Sequence, residues 1–235
     1  MQNYFNYFTE IEERFQQRRG SLLMLSTLDW ALIETWREAG IPLEAVLRGI
    51  DNAFDKHDAR ALRSPRRVQR VNGLAWCAQS VMEAVEQATE AAIGTQKHEP
   101  ADSGFEAERI GRYLNANAMQ IESARLVPPA DAVAAEVSSR LRALALELSE
   151  ESQYSLEELD RTLTTLEEKL FAALLTATPE EQLVALREQA ARELAPYRGK
   201  MQAVQIRQVQ QQFVQKKLLE ACRLPRLSLF YMDHT

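Results

Sequence analysis

The stretch Ser26–Phe54, STLDWALIETWREAGIPLEAVLRGIDNAF, decides the fold, because two punctuated helical patterns meet in it across a short turn. Ser26 can accept a hydrogen bond from an orphan backbone N–H, and Asp29 follows three residues on as the carboxylate of a shortened capping box. Leu28, Leu32 and Trp36 recur at i, i+4 and i+8, while Trp30 and Ile33 widen the apolar arc beyond what a surface helix needs, so this helix is expected to be central. Gly40 suits the left-handed position past a helix end, and Pro42 suits the first turn of a new helix, where its missing N–H costs nothing. Leu43, Val46, Leu47, Ile50 and Phe54 then share one face of about 100°.

Helix, short glycine-containing turn and helix is also the pattern of a DNA-binding helix-turn-helix. A recognition helix must offer its outward face to bases, and here that face carries Glu44, Arg48, Asp51, Asn52 and Asp55, mostly acidic groups that phosphates repel. A packed helical corner is the expectation. Upstream, Tyr4, Phe8, Ile11 and Phe15 form a narrow aromatic ridge ending near Gly20, predicted to fill the Leu28/Trp36 side of the central helix.

Downstream lies the strongest local charge signal. From Ala59 to Gly73 the chain carries Arg60, Arg63, Arg66, Arg67 and Arg70 with no acidic residue, just after Lys56 and His57. Ser64 and Pro65 read as the start of a fourth helix with the stripe Val71, Leu74, Ala78, Val81 and Val85, and Trp76 lies opposite that stripe. Arginines at a helix N-terminus oppose the macrodipole, which points to an anion held by arginine forks, with base stacking on Trp76 as a supplement. The five arginines and Trp76 are therefore the candidate anion or nucleic-acid contacts. The competing expectation is that the arginines pair with Asp51, Asp55 and Asp58 or face water.

The polar run GTQKHEPADSG, Gly94–Gly104, is the best boundary, separating an N-terminal four-helix unit over 1–93 from a C-terminal antiparallel bundle over 105–235; the two units would also be able to pack as one domain. In the bundle, Phe105–Leu126 reads as a helix stopped by Pro128 and Pro129, and Val133, Val137, Leu141, Leu144 and Leu148 mark the next. Ser155 with Glu158 forms a capping box, flanked by a Tyr154–Leu159 staple, and Leu156, Leu159, Leu163, Leu166 and Leu170 follow in a 3-4 repeat. Thr178 and Pro179 open a further helix that Pro196 interrupts. Fourteen acidic against six basic residues lie between Pro128 and Pro196, a negative surface against which the Gln-rich, basic helix beyond Tyr197 can lie. That helix keeps no single apolar stripe and is expected to be wrapped on more than one side, and Leu227–Met232 is too apolar for a loose tail, so it should dock on its own chain or on a second copy.

Composition places the chain among all-α proteins of about eight helices: 235 residues, 46% hydrophobic and 26% charged, with no sustained strand pattern. The net charge of −6 rules out a surface that grips nucleic acid everywhere and leaves only a local basic patch. Neither a signal-peptide pattern nor an apolar run of about eighteen residues stands in the sequence, and Cys77 and Cys222 sit in helical patterns as free thiols, so a cytoplasmic protein with no membrane partner is expected. His57, His98 and His234 stand in unrelated segments without metal-ligand spacing, and no phosphate loop or nucleophile motif is present. No cofactor, metal or catalytic residue is expected, and the glutamate pairs Glu157/Glu158 and Glu167/Glu168 read as solvated helix surface. The chain is thus expected to be a non-enzymatic helical interaction or adaptor protein with a protein partner or a second copy of itself, the alternative being a nucleic-acid-associated protein that holds a phosphate backbone through residues 60–70. An apolar ligand pocket is a third expectation. Whether the two basic segments share a face is the deciding question, since like charges brought together imply an anionic partner.

Overall fold

A computed structural model describes residues 7–20, 25–63, 71–91, 103–150 and 155–232. Among the described residues the chain is all-α, with nine α-helices, three short 3-10 turns and no strand: α1 (Tyr7–Arg19), α2 (Thr27–Glu38), α3 (Leu43–Arg63), α4 (Ala78–Ala91), α5 (Ser103–Ser123), α6 (Ala130–Glu150), α7 (Leu156–Ala177), α8 (Glu180–Leu194) and α9 (Ala203–Ala221). The 3-10 turns cover Leu74–Cys77, Ala195–Lys200 and Leu229–Tyr231. The helices pack in antiparallel pairs, α3 with α4, α5 with α6 and α6 with α7. Two compact units form, and the chain interleaves them: Met1–Lys97 joins Arg187–Val214 in unit 1, and His98–Leu186 joins Gln215–Thr235 in unit 2. No helix among the described residues is long and apolar enough to cross a membrane.

Unit 1 is organised around Asp29. The capping box is complete: Ser26 Oγ accepts from the Asp29 N–H, while Asp29 Oδ2 accepts from the Ser26 N–H at 3.0 Å and from its hydroxyl at 2.8 Å. The other oxygen, Oδ1, accepts from the Leu74 N–H at 2.6 Å, so one buried carboxylate caps its own helix and seats the chain 45 residues later. Gly73 fits against it, because a Cβ there would stand 2.9 Å from Oδ1. This contact corrects the expected fourth helix. Val71 and Asn72 are not helical and Gly73 is extended, so the chain arrives straight at Asp29, turns through Leu74–Cys77 and becomes α-helical at Ala78. Val71, Leu74, Ala78 and Val81 are nevertheless buried. The predicted start at Ser64 and Pro65 lies outside the described residues.

The α2–α3 corner forms as its punctuation requires: Gly40 takes φ +68°, donating to the Arg37 carbonyl while the Ile41 N–H reaches back to Trp36, a Schellman closure. Leu32, Ile33, Trp36, Val46, Ile50 and Phe54 are buried. Gly49 allows α3 and α4 their close crossing, since a Cβ there would lie 2.4 Å from the Val81 Cα. The ridge of α1 packs differently from expectation. Phe8 stacks on Trp30 of α2, but Phe15 meets Phe54 edge-on at 5.8 Å, and Arg14 and Arg18 pair with Asp51 and Asp55, so α3 supplies most of its groove. Tyr4 lies outside the described residues. Val209 and Phe213 of α9 and Leu194 of α8 are buried members of the same unit.

In unit 2 the predicted stripes form the core: Ile110, Leu114, Ala118 and Ile121 of α5, Val137, Leu141 and Leu144 of α6, and Leu163 and Leu170 of α7 are buried. Ser155 caps α7 by accepting from the Glu158 N–H; Tyr154 lies outside the described residues. The polar boundary run does too, apart from Ser103 and Gly104, which already belong to α5. Gln212 through Gln215 of α9 are buried in succession, and four consecutive residues span the whole circumference of a helix, which is why this helix carries no single apolar stripe. It ends in a second Schellman closure with Arg223 at φ +55°, a position where glycine is usual.

Candidate functional site

The arginine-rich segment divides at the end of α3. Arg60 and Arg63 are exposed in the last turn of that helix, where the dipole favours cations, so for these two the expected conflict with a helix N-terminus does not arise. Arg66, Arg67 and Arg70 lie outside the described residues. The acidic neighbours proposed as internal partners are engaged elsewhere: Arg14 meets Asp51 at 3.1 Å, and Arg18 reaches Asp51, Asp55 and Asp58. Lys56 is paired with Glu83. Arg60 and Arg63 make no ion pair among the described residues.

Trp76, in the 3-10 turn that Asp29 seats, brings the second basic segment to this place. Its ring is half-buried, met by Phe54 at 5.8 Å and by His57 edge-on at 5.5 Å. Above it lies the Lys200 ammonium, 5.2 Å from the ring centroid, a cation–π contact that covers the indole. Arg60 follows His57 by three residues on α3, hence one turn further along the same face. Partial burial, the largest cause, and the nearby Arg60 charge hold the Lys200 pKa below its ordinary value, with Cys77 acting in the opposite sense. Cys77 itself is buried and its pKa is raised, chiefly by that burial and then by Asp29. Lys200 of the second basic segment therefore lies beside Arg60 of the first in unit 1, and Trp76 is the support on which Lys200 rests rather than an open platform for a base.

Lys216 and Lys217, which also stand beyond Tyr197, belong to unit 2. Lys216 and Lys217 both face Glu220 on their own helix, and burial lowers the pKa of Lys216. As for a DNA-reading corner, α3 is flanked by α1 and by α4, and its acidic face is occupied by Arg14 and Arg18.

A second constellation, missed in the sequence, holds the C-terminal segment in unit 2. Glu167, expected to be solvated, is 5% exposed and sits beside Arg226 at 2.9 Å. Its Oε1 accepts from Gln215 Nε2 at 2.8 Å and its Oε2 from the Leu227 N–H at 2.6 Å. Two turns earlier on α7, Asp160 accepts from the Ser228 hydroxyl and from the Leu229 N–H. From α5, the Tyr113 hydroxyl reaches the Arg226 and Ser228 carbonyls at 2.7 and 2.8 Å, and Gln120 donates to the Arg223 carbonyl. Leu227, Leu229 and Met232 are buried by this clamp, so the tail docks on its own chain. Asp160, Leu163, Glu167 and Leu170 fall at i, i+3, i+7 and i+10, and that shared spacing was the one available signal that both carboxylates lie on the seam.

No group of histidine, cysteine and carboxylate side chains suited to a metal ion occurs among the described residues. The class that the fold and these sites define is an all-α protein with a cationic patch in one unit and a clamped tail in the other. A family model described only as an uncharacterised protein matches residues 6–97, less than half of the chain, and so covers the patch as far as Trp76 but not Lys200. Neither a curated protein nor a solved structure matches the chain.

Proposed function

We propose that this protein is a non-enzymatic interaction protein whose unit 1 binds the phosphate backbone of a nucleic acid. The observation that carries this reading is the Lys200 ammonium held over Trp76 beside the exposed end of α3, where Arg60 and Arg63 have no acidic partner among the described residues. Collecting cations on one face costs electrostatic energy, and an anionic partner recovers it. The net charge of −6 confines the contact to this patch. Affinity then comes from a few phosphate contacts and is largely independent of base sequence.

The test is fluorescence anisotropy of labelled single-stranded DNA and RNA over a salt series, with the triple change Arg60→Ala, Arg63→Ala and Lys200→Ala as the comparison. Binding is expected to weaken with salt, and the triple variant to lose about two units of the log–log slope, at roughly 0.7 per phosphate contact on a single strand. Salt-insensitive binding, or an unchanged slope in the variant, removes the reading. The competing partner is an acidic protein segment, favoured by Leu62, which stands 86% exposed between the two arginines and would be covered only by an apolar contact. Leu62→Ser leaves a backbone-phosphate contact unchanged and weakens a protein contact.

A further inference from the structure

Beside the clamp in unit 2 lies a recess of about 360 Å³ between α5 and the docked C-terminal segment. Its size falls at the lower end of the range of roughly 300–1,000 Å³ in which small molecules are bound. Arg109 and Arg112, one turn apart on α5, line one side, Tyr231 and Met232 line the other, and Tyr113 and Asn117 form the part nearest the clamp. Arg112 is exposed and makes no ion pair among the described residues. Asn117 is only 7% exposed, yet its Nδ2 has no hydrogen-bond acceptor. Its amide stands beside the Tyr113 phenol, near enough to work against the rise that burial gives the phenol's pKa but outside hydrogen-bond geometry, and the Tyr113 hydroxyl donates to the Arg226 and Ser228 carbonyls. Buried donors are almost always paired, so an unpaired amide in the wall of a recess that also holds two guanidinium groups marks a place for an acceptor.

We propose that this recess binds a small organic oxyanion, a carboxylate or a phosphate ester with an apolar or aromatic body, its charged end between Arg112 and the Asn117 amide and its body against Tyr231 and Met232. An oxyanion can use the planar guanidinium fork and the amide N–H together, which a neutral ligand of the same shape cannot. The carboxylates behind Tyr113 do not oppose this, because Asp160 and Glu167 are taken up by Arg226, Ser228 and the backbone N–H groups of the tail. The tail supplies one wall, so the site exists only while the tail is docked.

The experiment is a titration of the isotope-labelled full chain with phenyl phosphate, benzoate, inorganic phosphate and benzyl alcohol, following the Asn117 side-chain NH2 resonances. Saturable shifts are expected with phenyl phosphate or benzoate, the tighter of the two naming the headgroup, and weaker ones with inorganic phosphate. Arg112→Gln, on an exposed side chain, should weaken binding by about tenfold or more. Absence of a saturable shift with both organic anions overturns the proposal, as does benzyl alcohol binding as tightly as they do, or an affinity unchanged in the Arg112 variant.

Discussion

Each unit buries carboxylates that hold a backbone segment from far along the chain, and the two do so by different routes. In unit 1, Asp29 begins as a local device, the N3 member of a capping box, and its spare oxygen then captures Leu74. In unit 2, Asp160 and Glu167 cap no helix; they lie within α7 and receive the tail and, at Glu167, the Gln215 amide, with Arg226 supplying a full countercharge. A carboxylate that caps a helix is already held and partly satisfied before its long-range partner arrives. One buried mid-helix is stable only in the finished fold, because an unpaired buried charge is far more costly than an unpaired surface one. Unit 2 therefore stakes more of its stability on its clamp than unit 1 does on its own.

The largest expected effect is that of Glu167→Ala, which takes the carboxylate from the largely covered Arg226 guanidinium and removes the acceptor of the Leu227 N–H. Chemical denaturation should show a loss of about 3–5 kcal/mol, and limited proteolysis should release the C-terminal segment. A loss below about 1 kcal/mol with the tail still protected would place this pair among ordinary surface ion pairs and undo the contrast. Asp29→Ala should cost about 2–3 kcal/mol, roughly one for the cap and the remainder for the stranded Leu74 N–H. Asp29→Asn, which keeps a carbonyl acceptor, should recover much of that, whereas Glu167→Gln should recover little because Arg226 still lacks a charge; equal recovery at both sites would contradict the argument.

Glycines sharpen the same comparison. Gly49→Ala in α3 must push a Cβ into the α4 backbone at Val81 and should destabilise by about 1–3 kcal/mol despite the gain in helix propensity. Gly111→Ala in α5 meets nothing closer than the Ala145 carbonyl oxygen at 3.9 Å and should instead stabilise by up to about 1 kcal/mol. Thermal melts of the pair decide the matter, and two shifts of the same sign would refute the close crossing. The smallest effect belongs to the helix ends. Gly40 and Arg223 occupy the same left-handed position in two Schellman closures, so Arg223→Gly should raise stability by about 1 kcal/mol, read as a modest rise in melting temperature.

These sites also show what was legible in the residues. The Ser26–Asp29 box, the Gly40–Pro42 corner, the Ser155 cap and the apolar stripes of α3, α5, α6 and α7 all depend on neighbours within about four residues, the distance over which helix periodicity and capping act. The cationic patch was legible in part: Arg60, Arg63 and Trp76 stood out, but the predicted fourth helix is not helical over 71–73, where Gly73 is extended and Asp29 holds the Leu74 N–H. Lys200 counted only as one basic residue among several, because nothing near it in the chain marks a tryptophan 124 positions earlier as its support.

By itself the sequence determined the class of fold, the positions of most helix ends and the identity of the buried apolar faces, because these follow from local hydrogen bonding and from a 3.6-residue period. Only the tertiary structure decided which unit residues 187–214 join, that Asp160 and Glu167 lie inward, and that Lys200 rests on Trp76. Charged side chains read the same in sequence whether they face water or a buried partner. The difference between the two is made by partners 45 to 69 residues away, which no local pattern encodes.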